Sequence, residues 1–180
     1  MQQTRNLACR VVLGLIVACG VAQSGSATAT QTVSISLSPL GKIYVPSSLN
    51  LLKSGTAFSA YNGALPLTFR ARTSAVGAGS ITVQANGDFA PTGGPSINQG
   101  MLTYTCVSGG YGSACSGAQT VSGTAQRPVL TLGSQSCTGG GAGCSAADPA
   151  SVDLMLRLDN DPVVPTDNYQ VQLVFTISCT

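Results

Sequence analysis

The sequence predicts an all-β protein, built as one antiparallel sandwich of seven or eight strands with Greek-key connections. Three observations support this fold class. Apolar and polar residues alternate in several short segments, as in strands with one face buried. Turn-forming Gly, Pro, Asn and Asp residues separate those segments. No segment has the 3.6-residue periodicity of a convincing amphipathic helix, and neither a repeat nor a long linker divides the chain.

Residues 1–29 predict a secretory signal peptide. Arg5 and Arg10 precede an apolar run over residues 11–22, and Ala27-Thr28-Ala29 follows as a cleavage site. The run is too short to span a bilayer as a helix. Cleavage there leaves residues 30–180 as a single domain in a secreted, periplasmic or cell-surface protein.

A second interpretation of the same segment is lipidation. Ile16-Val17-Ala18-Cys19 resembles a bacterial lipobox, in which Cys19 would become the acylated first residue. We expect ordinary cleavage, with a lipid anchor at Cys19 as the alternative.

The charge composition argues against several function classes. The chain has eight basic residues and six acidic ones, and it contains no Glu, no His and no Trp. Removal of the signal leaves the domain close to neutral, so neither nucleic acid nor an anionic membrane is an expected partner. Without His or Glu the usual acid–base groups are missing, and we therefore expect no enzymatic activity and no cofactor.

Five cysteines follow the signal peptide. We predict disulfides between Cys106 and Cys115 and between Cys137 and Cys144, because each pair encloses a short Gly/Ser-rich loop, although connectivity does not follow from sequence alone. Cys179 is then the odd cysteine. The spacings do not fit a zinc site, and no His is present to activate Cys179 as a nucleophile.

The strands of the first half follow from the alternation in chain order. Residues 31–38 alternate cleanly, residues 43–52 are ambiguous, and Asn62-Gly63 predicts a turn. The expected strands that follow are residues 66–73, with Leu67, Phe69 and Ala71 inward, and residues 81–85.

The second half contains the clearest patterns. Residues 151–159 place Val152, Leu154, Leu156 and Leu158 on one face. Residues 101–106 form another expected strand, and residues 120–124 and 128–132 are weaker candidates. The last expected strand begins at Tyr169 and continues to the end of the chain, with alternate residues apolar.

The loops offer candidates for two binding functions, a calcium site and a glycan site. Asp159, Asp161 and Asp167 form a weak calcium candidate, but their turns lack the pattern of a defined calcium loop, and we expect no metal. Five aromatic residues lie in or near loops and could stack on sugar rings: Tyr44, Phe58, Tyr61, Phe89 and Tyr111.

The segment Val164-Pro165-Thr166-Asp167-Asn168-Tyr169-Gln170-Val171-Gln172-Leu173-Val174-Phe175-Thr176-Ile177 resembles the closing segment of chaperone–usher pilus subunits, especially the spore-coat-U-like and archaic types. The resemblance implies an immunoglobulin-like sandwich that lacks one strand. A periplasmic chaperone, and then the N-terminal extension of the next subunit, would supply that strand by β-strand addition. Residues 32–38 lie where such an extension would be.

We therefore expect an exported bacterial structural or adhesion-type protein, a pilus-like or surface subunit whose partners are other copies of itself or a periplasmic chaperone. The resemblance implies a strand-assembly surface made of three donor and five acceptor residues: Val33, Ile35, Leu37, Tyr169, Val171, Leu173, Phe175 and Ile177. The alternative is a monomeric secreted or lipid-anchored binding module, with a glycan as one candidate ligand. In that case residues 33–37 would pair within their own domain.

Overall fold

The computed structural model describes residues 31–53, 55, 57–74, 77–133 and 149–180. These residues contain ten β-strands and no helix, and the strands form two antiparallel sheets, which confirms the all-β prediction. The predicted signal peptide with Cys19, and the predicted Cys137–Cys144 pair, lie outside the described residues. The chain divides into two compact units, residues 1–35 and 36–180, and both sheets belong to the second.

The first sheet has the order β1-β3-β9-β5-β7, with β2 also paired to β3. Its strands are β1 Leu40–Tyr44, β2 Leu52–Lys53, β3 Tyr61–Arg72, β5 Leu102–Ser108, β7 Gln119–Thr120 and β9 Ala150–Leu158. The second sheet has the order β10-β4-β8-β6. Its strands are β4 Gly79–Ala85, β6 Ser113–Ala114, β8 Arg127–Leu132 and β10 Leu173–Cys179.

Ten strands are found among the described residues, where the sequence predicted seven or eight. β2, β6 and β7 span two residues each. A two-residue strand has no periodicity to detect, because its existence depends on pairing with a neighbour rather than on its own pattern.

The inward faces of the strands build one apolar core. In β3 and β9 the predicted inward residues are buried, and the two strands pair through Leu65↔Leu154 and Leu67↔Val152. In β4 and β8 the core residues include Ile81, Val83, Val129, Leu130 and Leu132. Burial of these alternate side chains supplies the main driving force for folding.

Tyr104 links the two sheets through the core. Its ring is almost fully buried on β5, and its hydroxyl donates a hydrogen bond to the Pro128 carbonyl on β8 at 2.7 Å. Burial disfavours the charged phenolate and raises the pKa of Tyr104 to about 12, although the positive charge of Arg127 acts in the opposite direction.

The predicted Cys106–Cys115 disulfide is confirmed. It joins β5 to the residue after β6, with the two Cα atoms 5.4 Å apart. Since β5 and β6 lie in different sheets, the bridge ties the sheets together. By restricting the unfolded chain, a bridge that closes a loop of this length contributes about 2.5–3 kcal/mol of stability.

The predicted turn at Asn62-Gly63 is wrong, because both residues lie inside β3. A Cβ atom at Gly63 would lie 2.7 Å from Cδ2 of Leu51. The glycine therefore permits Leu51 to pack directly on β3, and Asn62 pairs with Leu52 of β2. The same dipeptide that forms tight turns serves here as a place of close packing.

Two other expected strands differ from those observed. Residues 31–39 form no strand although their alternation is regular. The last strand begins at Leu173, four residues later than predicted. Before Leu173, Gln170 and Gln172 still bond to the backbone of Ala90 and Asn86, but these isolated bonds do not make a continuous ladder.

Candidate functional site: the groove beside β10

β10 is the edge strand of the second sheet. It pairs with β4 over its whole length, from Leu173↔Ala85 to Cys179↔Gly79, and no strand of the described residues pairs with its other side. An edge strand presents a row of backbone N–H and C=O groups that can pair with an added strand. The sheet is therefore open to extension beside β10.

The inward row of β10 is incompletely covered. Leu173, Phe175 and Ile177 pack against the core but remain half-buried, whereas the inward residues of β9 are buried. A row of large apolar side chains on an open edge is the kind of surface that another chain can cover.

The segment before β10 continues this edge without being a regular strand. Gln170 and Ala90 exchange two backbone hydrogen bonds of 2.8 Å, and the Asn86 amide donates to the Gln172 carbonyl at 2.8 Å. The Tyr169 hydroxyl donates to the Pro165 carbonyl at 2.9 Å, and Gly94 lies directly beneath its ring. Tyr169 and Val171 are half-buried, like the row that follows them.

A groove of about 1520 Å³ runs along this edge. Residues 45–51 and residues 164–173 are the two longest continuous stretches of its lining, and we call them its walls. Six apolar side chains that belong to the core or pack against it also line the groove, and we call them its floor: Leu65, Phe89, Leu102, Leu156, Leu158 and Phe175. The lining also includes polar side chains, among them Asn86, Asp88 and Gln172.

The groove does not reach the end of β10: neither Ile177 nor Cys179 lines it, and β1 packs directly on β10 there. A Cβ atom at Gly41 would lie 3.0 Å from Cγ1 of Ile177 and 3.1 Å from Sγ of Cys179. The absence of a side chain at Gly41 allows this approach. Access to the groove is thus from the side of Tyr169 and Leu173.

The three predicted donor residues are exposed. Val33, Ile35 and Leu37 have 86%, 81% and 63% of their surface accessible, and none belongs to a strand. All five predicted acceptor residues line the groove or continue its row, since Ile177 follows Phe175 on the same face. The structure therefore groups the acceptor residues.

The aspartates of the weak calcium candidate do not converge on a metal site. No cluster of three or more His, Cys, Asp or Glu suited to a metal occurs among the described residues. Asp159 pairs with Arg157 at 3.1 Å. Asp161 and Asp167 accept hydrogen bonds from the backbone amides of Val163 and Asn168, at 2.9 and 2.7 Å. These are the local bonds expected of turn aspartates.

Cys179 carries a free thiol at the end of β10. Burial raises the pKa of this thiol, and a backbone hydrogen bond at Arg72 opposes the rise only in part. The thiol is therefore protonated near neutral pH, the opposite of an activated nucleophile.

The five loop aromatics lie in different surroundings. Phe58, Tyr61 and Phe89 line the groove, and Phe89 is buried in its floor. Tyr111 packs against Phe69 with ring centroids 6.3 Å apart, and Tyr44 lies on the outer face beneath Lys42.

The wall that residues 45–51 form in the groove was not predicted from the sequence. Leu49 and Leu51 contact β3 over Gly63, but their segment looked ambiguous because Pro46 and two serines interrupt it. The signal that could have located this wall is Gly63 itself, because an unexplained glycine in a strand marks a close approach.

Comparison of the chain with protein-family models and with curated proteins finds no match. The described residues contain no helical segment that could span a membrane. The function of the groove has to be inferred from its geometry.

Proposed function

We propose that this protein is an exported bacterial structural subunit, pilus-like or surface-located, which assembles by β-strand addition at the groove beside β10. The observation that carries the proposal is the combination of an open sheet edge and a half-covered apolar row on the same strand. An added strand would pair with the free backbone edge and bury the row at the same time.

The N-terminal segment of a second copy has the dimensions of the missing strand. At about 3.3 Å per residue, the nine residues 31–39 reach about 30 Å, against about 23 Å for the seven residues of β10. Val33, Ile35 and Leu37 point to one side of an extended chain, as knobs for an apolar groove need to. The serines between them would face solvent.

We propose accordingly that the two sheets form an immunoglobulin-like sandwich lacking one strand. In the free subunit a periplasmic chaperone would cover the groove, and in the assembled form the next copy would do so. The Cys106–Cys115 bridge supports an oxidising compartment, in keeping with secretion to the periplasm or the cell surface.

The proposed role is mechanical or adhesive rather than catalytic. The free thiol has a raised pKa, and the aspartates near the groove are engaged with Arg157 or with local backbone amides. An apolar floor without an activated group suits the binding of a peptide strand.

The test uses the mature chain and a truncated form that begins at residue 40. A synthetic peptide of residues 31–39 is titrated into the truncated form, and binding is followed by calorimetry. We expect one peptide per subunit, and at least about tenfold weaker binding for the peptide with Ile35→Asp, because a charge would enter an apolar groove.

The matched control is the Ser34→Asp peptide, which places the same charge on the opposite side of the strand and should bind almost as well as the parent. Equal effects of the two substitutions would contradict insertion of an alternating strand. If the mature chain stays monomeric and no peptide binds, the monomeric binding module becomes the better description.

A further inference from the structure

We propose that charge sets the polarity of assembly: the positive cluster Lys42, Arg70 and Arg72 of one subunit docks against the aspartates of residues 159–167 of the next. The partner is a second copy of this chain. This inference rests on the proposed function, and it adds a charged contact at the entrance of the groove.

The two charged regions lie at opposite ends of the strands. Leu40 pairs with Arg72, which places the start of β1 and the end of β3 together, next to the end of β10. β9 ends and β10 begins at the opposite end, because Leu158 pairs with the start of β3 and Leu173 pairs with the end of β4. The aspartate loop connects these two points.

The positive cluster lies on the outer face of the first sheet. Lys42 and Arg70 are directly opposite each other on β1 and β3, an arrangement that is unfavourable for like charges. The Tyr44 ring lies between them, 4.9 Å from Nζ of Lys42 and 6.0 Å from Cζ of Arg70. None of the three basic residues forms an ion pair with a described aspartate.

The N-terminal segment leaves the domain beside this cluster. Nε of Arg72 donates a hydrogen bond to the Ser38 carbonyl at 2.7 Å. The chain just after the donor residues is therefore attached to the positive cluster. Wherever the end of the inserted segment lies, the positive cluster of its own subunit must lie nearby.

The accessible end of the groove is negative. Asp88, Asp159, Asp161 and Asp167 line it, and Lys53 is the one basic residue among its lining residues. Arg157 offsets the charge of Asp159, whereas Asp161 and Asp167 are exposed and have no described cationic partner. The entrance therefore offers an acidic surface to an approaching basic one.

The direction of insertion brings the two surfaces together. A donor strand antiparallel to β10 would end beside Leu173, at the acidic entrance, and would carry its own positive cluster there. A parallel donor would end beside Ile177, where β1 packs directly on β10 and where the receiving subunit has its own Lys42, Arg70 and Arg72. Packing and charge both favour the antiparallel direction.

The experiment measures the assembly rate of the mature chain by light scattering at low and high salt. We expect Asp161→Lys and Lys42→Glu each to slow assembly at least about fivefold in about 50 mM NaCl, and the difference to disappear near 500 mM, where charges are screened within a few ångströms. A variant carrying both substitutions regains a complementary pair and should assemble faster than either single variant.

Matched controls carry the same charge changes at other sites. Asp153→Lys lies on an exposed position of β9 and should leave the rate unchanged, and Arg127→Glu on β8 should not slow it. If these controls slow assembly as much as Asp161→Lys and Lys42→Glu do, the effect comes from net charge and the docking contact is overturned.

The uncharged peptide of residues 31–39 separates this inference from the proposed function. It lacks the positive cluster, so it should bind the Lys42→Glu variant, whose substitution lies outside the groove lining, as well as the parent. Weaker peptide binding would place the effect within the groove and overturn the docking contact. Wild-type rates for both charge variants would overturn the contact while leaving strand addition standing. Absence of both assembly and peptide binding would overturn both proposals.

Discussion

β9 and β10 have the same alternating pattern and opposite surroundings. β9 lies between β3 and β5, and its inward residues Val152, Leu154, Leu156 and Leu158 are 0, 0, 5 and 9% exposed. β10 has a single partner, β4, and its inward row is half-buried throughout. The comparison shows that alternation reports which side of a strand faces the core. How completely that side is covered depends on the neighbours that the topology provides.

The largest expected effect is in β9. Leu154→Ala removes a fully buried side chain between two neighbouring strands, and we expect it to lower the free energy of unfolding by about 3–5 kcal/mol. Urea denaturation of the mature chain measures this loss. A loss below about 1 kcal/mol would mean that the middle of the first sheet is much more loosely packed than described.

The second prediction concerns a bound peptide that covers β10, so that its inward row becomes as buried as that of β9. The peptide of residues 31–39, added to the form that begins at residue 40, should stabilise it by about 2.7 kcal/mol at a hundred times its Kd. Thermal and urea denaturation with increasing peptide check this. The Ile35→Asp peptide at the same concentration is the control, and equal stabilisation by both would count against a specific strand.

The third prediction concerns the uncovered row itself. Leu173→Ala should lower the free energy of unfolding of the form that begins at residue 40 by only about 1–2 kcal/mol, less than Leu154→Ala does. Leu173 is already partly exposed, so its side chain buries less apolar surface than that of Leu154. With the peptide bound, the cost should rise, since the same side chain is then buried between two chains. Equal costs for the two leucines in the free form would show that β10 is already as well covered as β9.

The smallest expected effect is at Asp88, in the loop that carries Phe89 into the groove floor. Burial raises the pKa of this carboxyl, but three hydrogen bonds outweigh that effect and lower the pKa overall. The donors are the backbone amide of Ile97 at 2.7 Å, the hydroxyl of Ser96 at 2.7 Å and the backbone amide of Phe89 at 2.9 Å. A carboxyl with a lowered folded-state pKa stabilises the protein above its unfolded pKa and loses that contribution as the pH falls through the folded value.

Because the Asp88 carboxyl is largely exposed and solvent screens its interactions, we expect Asp88→Asn to cost at most about 1 kcal/mol at neutral pH, and less below about pH 4, where the parent loses the same contribution. Urea denaturation across this pH range measures the difference. Asp153→Asn, at an exposed strand position, is the control and should show neither the cost nor its pH dependence. A pH-independent cost for Asp88→Asn would attribute the effect to loop packing instead of ionisation.

Much of the fold could be predicted from local patterns. The inward residues of β3 and β9 follow from alternation, and the short flexible loop between the two cysteines favours the Cys106–Cys115 bridge. These features depend on residues close in sequence, so the chain itself carries the signal. The position of β10 at a sheet edge follows from no such pattern, because its alternation is as regular as that of β9.

The amino-acid pattern alone fixes which faces of β3 and β9 turn inward, and it favours the bridge between Cys106 and Cys115. The packing of distant strands is needed to explain why β10 has one partner, why Gly63 accommodates Leu51 and why Gly41 lets β1 pack on the end of β10. The direction of a side chain is set by its own backbone, whereas its coverage is set by strands far away in the chain.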